Sequence, residues 1–103
     1  MRRYQVVVSE LAEKELDEIV YFIEETVSVA SADRVANRIW RSVFALDLFP
    51  RRGTKFEPIP GVWIAPVKKY KYYLIYEIDD EKNIVVVHHI IHQHRNLGQL
   101  ILK

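Results

Sequence analysis

Four histidines and an arginine crowd the end of this 103-residue chain: His88, His89, His92 and His94, with Arg95 following at once. Imidazoles can move protons near neutral pH or ligate a transition metal, and a guanidinium can grip a carboxylate or phosphate with a fixed fork. In a strand, parity places His88, His92 and His94 on one face, as a shared metal would need. No carboxylate or cysteine stands among them at ligand spacing, so neither a metal nor any other cofactor is expected. A second concentration of charge, Arg51, Arg52, Lys55, Lys68, Lys69 and Lys71, surrounds one loop and one turn and would suit phosphate. The bland readings are a strand-end histidine bonded to a carbonyl and a solvated basic surface. Exposed members of Tyr70, Tyr72, Tyr73 and Tyr76 could stack on bases, but their alternation puts at least half beneath other elements.

The element that must carry these groups is a hairpin over residues 70–96. Tyr70, Tyr72, Leu74, Tyr76 and Ile78 alternate with Lys71, Tyr73, Ile75 and Glu77, which reads as one strand. Residues 79–83, DDEKN, offer turn chemistry and nothing to bury. Residues 84–92 are β-branched and apolar on both faces at their start, the mark of a strand covered on both sides and therefore central.

Upstream, residues 3–8 read as a short first strand. Ser9 is an N-cap with Glu10 and Glu13 behind it, and Ala12, Leu16, Ile19, Val20, Ile23 and Val27 recur at helical spacing beneath an acidic outer face. Ser28 and Ser31 are both plausible caps for a second helix carrying Ala32, Val35, Ala36, Ile39, Val43 and Leu46. Its outer face is basic, with Arg34, Arg38 and Arg41, and Pro50 ends it. Two helices so charged could exchange salt bridges along their seam, each worth little. Residues 51–61 are irregular, with two glycines and two prolines. Residues 62–67 form a strand whose Pro66 argues for a sheet edge.

These elements make one domain over residues 1–103. Its class is α+β in the order β-α-α-β-β-β, an antiparallel sheet with the helical hairpin packed on one face. Ile39 and Val87 should be buried in that interface. The absence of cysteine fits a reducing cytoplasm, no stretch reads as a signal peptide or membrane span, and a net charge of +1 supplies no global field toward nucleic acid.

That order, with these residues, resembles the RelE/ParE superfamily of type II toxins. The helical start SELAEKELDEIVYFIEE fits the family's pattern. LDLFPRRG, residues 46–53, is similar to its L-x-x-x-P-x-x-G, YYLIYEI, residues 72–78, to its Y-R-L-V-Y-x-V, and IIHQHRNL, residues 90–97, to the V-L-H-x-x-R-D-L ending of ParE-like members. The resemblance implies a toxin held inactive by a cognate antitoxin encoded nearby. A homodimer or a heterotetramer with that antitoxin is left open. An antitoxin segment is expected to fold onto the apolar tail after Asn96 and the groove where helices meet sheet.

Two activities are implied, inhibition of DNA gyrase (ParE-like) and cleavage of mRNA on the ribosome (RelE-like). For a nuclease, Glu57 in KFEPIPG resembles a loop carrying a general base, His92 falls at the position of a terminal acid, and Lys71 would supply positive charge. The family's strand has an arginine where this chain has Tyr73, and lysine lacks the guanidinium's fork. For a toxin that acts by binding, Arg51, Arg52, Lys68, Tyr73, His94 and Arg95 are the candidate contacts with target or antitoxin. The ParE-like ending and the missing arginine favour the binding toxin.

Overall fold

Ser9 opens the first helix. A computed structural model describes residues 3–94, and in it the Ser9 hydroxyl accepts the Ala12 N–H at 3.0 Å. Helix α1 follows over Glu10–Thr26, with Glu10 and Glu13 where the positive end of its macrodipole favours anions. Ser28, not Ser31, caps the second helix by accepting the Ser31 N–H at 3.0 Å, and α2 runs over Val29–Phe44. Pro50 does not itself end α2. The chain tightens into a 3-10 turn at Ala45–Asp47, which still buries Leu46. The expectations placed on Arg95 and on the tail after Asn96 lie outside the described residues.

Five strands form one sheet in the order β1-β5-β4-β3-β2, with β1 at Gln5–Val8, β2 at Thr54–Lys55, β3 at Val62–Pro66, β4 at Tyr72–Asp79 and β5 at Ile84–His92. The antiparallel meander β3–β4–β5 is the expected one. The sheet as a whole is mixed, because β1 lies parallel to β5. The stretch read as irregular contains β2, which pairs with Trp63 and Ile64 only. Pro66 therefore lies beyond β2, and its missing N–H deprives no partner. β5 is interior, as its β-branched run implied. Its two-sided burial falls at Ile90 and Ile91, however, and not at its start, where Ile84 and Val86 stay half-buried.

The helices cover one face. Leu16, Val35, Ile39, Val43, Leu46, Leu74, Tyr76, Val85, Val87 and Ile90 pack there, with Tyr70, Tyr72 and Ile78 against the margin. Ile39 and Val87 are fully buried, as their phase required. Three of the four hairpin tyrosines thus lie on the helix side. Val27 does not continue the α1 stripe. It is the C-cap, its backbone has left helical geometry, and its side chain is 68% exposed. The salt bridges expected along the helix seam are not found among the described residues. The opposite sheet face carries a small second cluster of Val62, Ile75 and Ile91, with Phe56, Ile59, Ile64 and Tyr73 packed against it.

Candidate functional site

β1 stops at Val8, opposite Val87, and leaves the outer edge of β5 without a strand. The start of α1 fills the gap. The Ser9 N–H donates to the Val87 carbonyl at 3.0 Å, the Ser9 hydroxyl donates to the His88 carbonyl at 3.1 Å, and the Glu15 carboxylate accepts the Ile90 N–H at 3.1 Å. Glu15 is only 8% exposed and lies 3.3 Å from His89 Nδ1. A buried carboxylate is costly unless hydrogen-bonded, and here it stands in for a missing ladder partner. Reading the sequence passed over Glu15 because it sits among outward charges. The available signal was its phase, three residues after Ala12 and next to Leu16, at the margin of the apolar stripe.

Beyond this support the histidines separate. A register shift between Ile75 and Tyr76 sets His89 opposite Ile75 and Val87 opposite Tyr76, so His88 is the extra residue of a β-bulge. The expectation that His88, His92 and His94 share one face is therefore corrected, because the bulge inverts parity between His88 and His92. His88 turns toward Glu77, with Nε2 3.5 Å from its carboxylate, whereas His92 pairs with Tyr72 on the helix side. Among the described residues no three histidines, carboxylates or cysteines gather as a metal would need.

His92 is exposed and held from two directions. Its ring meets the Tyr72 ring edge-on at 5.3 Å, and its Nδ1 accepts the His94 N–H at 3.2 Å, with the two imidazoles 4.9 Å apart. Accepting at Nδ1 leaves Nε2 to carry the proton. Lys71 is a close neighbour, since its carbonyl accepts the Gln93 N–H at 2.8 Å. The structure thus brings Lys71, Tyr72, His92 and His94 to one end of the sheet. There a groove of about 310 Å³ opens between α1 and the strands, lined by Glu18, Ile19, Phe22, Tyr72, Ile90 and His92. Phe22 and Tyr21 beside it are 66% and 58% exposed. Burial raises the Tyr72 hydroxyl pKa above its ordinary value, keeping it a neutral hydrogen-bonding group.

Glu57 belongs elsewhere. It is exposed in the turn after β2, and the backbone there is tied to the far end of β3 by the Phe56 N–H donating to the Val62 carbonyl at 2.7 Å. Val62 pairs with Glu77 and Pro66 with Tyr73, so four residues of β3 separate that tie from the Lys71 end, about 13 Å along a strand. Tyr73 is half-buried against the second apolar cluster. Lys68 is exposed in the β3–β4 turn.

Arg51 and Arg52, read as binding residues, both make contacts within the fold. Arg51 pairs with Asp80 at 2.5 Å, and the hydrogen bonds it donates to Tyr4 and Asp80 raise its pKa further. Arg52 donates to the carbonyls of Ser42 at 3.2 Å and Pro66 at 3.5 Å. Between them the chain closes tightly on the sheet. The fully buried Tyr76 hydroxyl donates to the Pro50 carbonyl at 2.7 Å, and a Cβ on Gly53 would collide with the Ile64 carbonyl and the Tyr76 hydroxyl. That contact gives the proline, the glycine and the strand tyrosine of the sequence pattern a physical reason.

A family model for the ParE toxin of type II toxin-antitoxin systems matches residues 6–97. The chain belongs to the ParE toxin family. The solved structures it resembles carry the same fold at low identity. The chromosomal ParDE system from P. aeruginosa aligns with TM-score 0.76 and 14% identity, covering 87% of this chain and 96% of that one. The RelBE2 toxin-antitoxin complex from Mycobacterium tuberculosis aligns at 0.69 and 23%, covering 92% and 97%. The intact E. coli RelBE complex aligns at 0.63 and 20%, covering 89% and 99%. No curated protein sequence matches this ParE-family chain.

Proposed function

We propose that this ParE-family toxin acts by binding DNA gyrase and performs no chemistry of its own. The observation that carries the reading is the loop over the second sheet face. Phe56 and Ile59 pack against the cluster of Val62, Ile75 and Ile91, and Tyr73 packs there too, at the position where the resemblance to nucleases calls for an arginine. A general base at Glu57 would have to work from a turn tied to the opposite end of β3 from Lys71 and His92. A toxin that moves no proton is free of that requirement. Arg51, Arg52, Lys68, Tyr73, His94 and Arg95 are its candidate contacts.

A second reading, ribosome-dependent mRNA cleavage, draws on Lys71 and His92 lying at the same end of the hairpin, where the Lys71 carbonyl accepts the N–H of Gln93, the residue after His92. A purified supercoiling assay with gyrase, beside a translation reaction scored for mRNA fragments, separates the two. Inhibited supercoiling with intact mRNA is expected. Fragmented mRNA with unaffected supercoiling would establish the second reading in its place.

The partner in either case is a cognate antitoxin, as the ParDE and RelBE complexes support. Its docking segment would fold into the groove at Ile19, Phe22, Tyr72 and Ile90, extending the apolar surface of Tyr21 and Phe22. Phe22→Ala should weaken antitoxin binding measured by calorimetry, while leaving the thermal midpoint of the toxin nearly unchanged.

A further inference from the structure

The net charge of +1 conceals a segregation. α1 holds seven of the chain's 14 carboxylates and one of its 15 cations, so everything outside α1 carries +7. α2 bears Arg34, Arg38 and Arg41 against Asp33 alone. Their spacing sets the three arginines on one helix face, about 6 Å and then about 4.5 Å apart along the axis. With Asn37 they line a groove of about 260 Å³ whose opposite wall is Lys69 and Tyr70, from the turn between β3 and β4. Lys68 and Lys71 are exposed in the same turn. Arg34 donates to the Ser31 hydroxyl at 3.0 Å. Among the described residues, Arg38, Arg41 and Lys69 have no carboxylate within ion-pair distance.

We propose that this groove grips the phosphate backbone of duplex DNA without reading its sequence. A row of cations that the fold does not pair suits a polyanion, and such contacts supply sequence-independent affinity. Duplex is favoured over single strand because the groove's one ring, Tyr70, packs against the core and leaves unpaired bases no platform. One amide, Asn37, is too little for base readout. An acidic protein segment would want apolar anchors as well, and the exposed aromatics stand outside the groove's lining, Phe44 at the end of α2 and Tyr21 and Phe22 on α1 among Asp17, Glu18 and Glu25. The inference stands apart from the gyrase reading, since it asks only what the purified chain binds.

Fluorescence anisotropy of the purified toxin with a labelled duplex two helical turns long tests it. Between about 50 and 200 mM salt, log affinity should fall against log salt with a slope of about −3, for three to four phosphates. Arg34→Gln, Arg38→Gln and Arg41→Gln together should lower affinity about tenfold or more and remove most of the slope. The charge-matched control, Arg3→Gln with Lys14→Gln and Lys82→Gln, should keep the slope, with circular dichroism confirming the fold of both. Should the arginine variant not fold, Lys69→Gln alone should cost about one unit of slope. The proposal is overturned by any of four results: wild-type binding without salt dependence, an equal loss in the control, tighter binding of a single strand of equal length, or lost antitoxin affinity with duplex binding unchanged.

Discussion

Sixteen buried side chains lie between the helices and the sheet, whereas the second cluster, on the opposite face, buries three, Val62, Ile75 and Ile91, beneath Phe56 and Ile59 of a loop. The first face is built from periodic elements that interlock, α1 and α2 against β4 and β5. The second depends on one aperiodic segment resting on a few side chains. A change on the helix face disturbs the whole fold, while a change beneath the loop repositions Tyr73 and Glu57 and leaves the framework standing. That asymmetry fits a fold shared with ParDE and RelBE structures at 14–23% identity.

The comparison is sharpest at its extremes. Ile39→Ala, at a site with no exposure, should cost about 2–5 kcal/mol through lost transfer energy and the cavity left behind, read from urea denaturation. Glu15→Ala should follow at about 1–3 kcal/mol, because the Ile90 N–H loses its partner, and Glu15→Gln should recover part of that loss. Phe56→Ala, on the loop side, should cost only about 1 kcal/mol, since Phe56 is half-exposed. A loss as large as that of Ile39→Ala would show that the second face is no thinner than the first. The β3–β4 turn, outside both faces, should respond least. Lys69 sits at φ 76, where a lysine is strained, so Lys69→Gly should raise stability by at most about 1 kcal/mol. A clear destabilisation there would mean that the lysine side chain, and not the backbone, holds the turn.

What could be read from the chain and what could not divide along the same line. The Ser9 cap, the burial of Ile39 and Val87, the meander and the sides of Tyr72, Tyr73 and Tyr76 follow from local spacing, which is written residue by residue, whereas the choice between Ser28 and Ser31 as the second cap does not. The parallel placement of Gln5–Val8 does not, because four residues carry no mark of their partner. The bulge at His88 is set by the register of β4, so counting along β5 alone put His88 on the wrong face. Glu15 was hidden for a similar reason, since its role exists only where β1 ends and β5 continues. Within the candidate site, the placing of Lys71 and His92 on one hairpin was legible from the strand pattern. The tie from the Phe56 N–H to the Val62 carbonyl, which places Glu57, was not, because a loop rich in proline and glycine has no period to read.

The account rests on the claim that no proton has to be moved at Glu57. Growth arrest after induction of the Glu57→Gln chain in a bacterium tests it most directly, with antitoxin affinity measured beside it to certify the fold. Arrest close to that of the wild-type chain is the predicted result. A loss of toxicity of about 10²-fold or more, the scale of a missing general base, with antitoxin binding intact, would contradict the account and make Glu57 the centre of a nuclease.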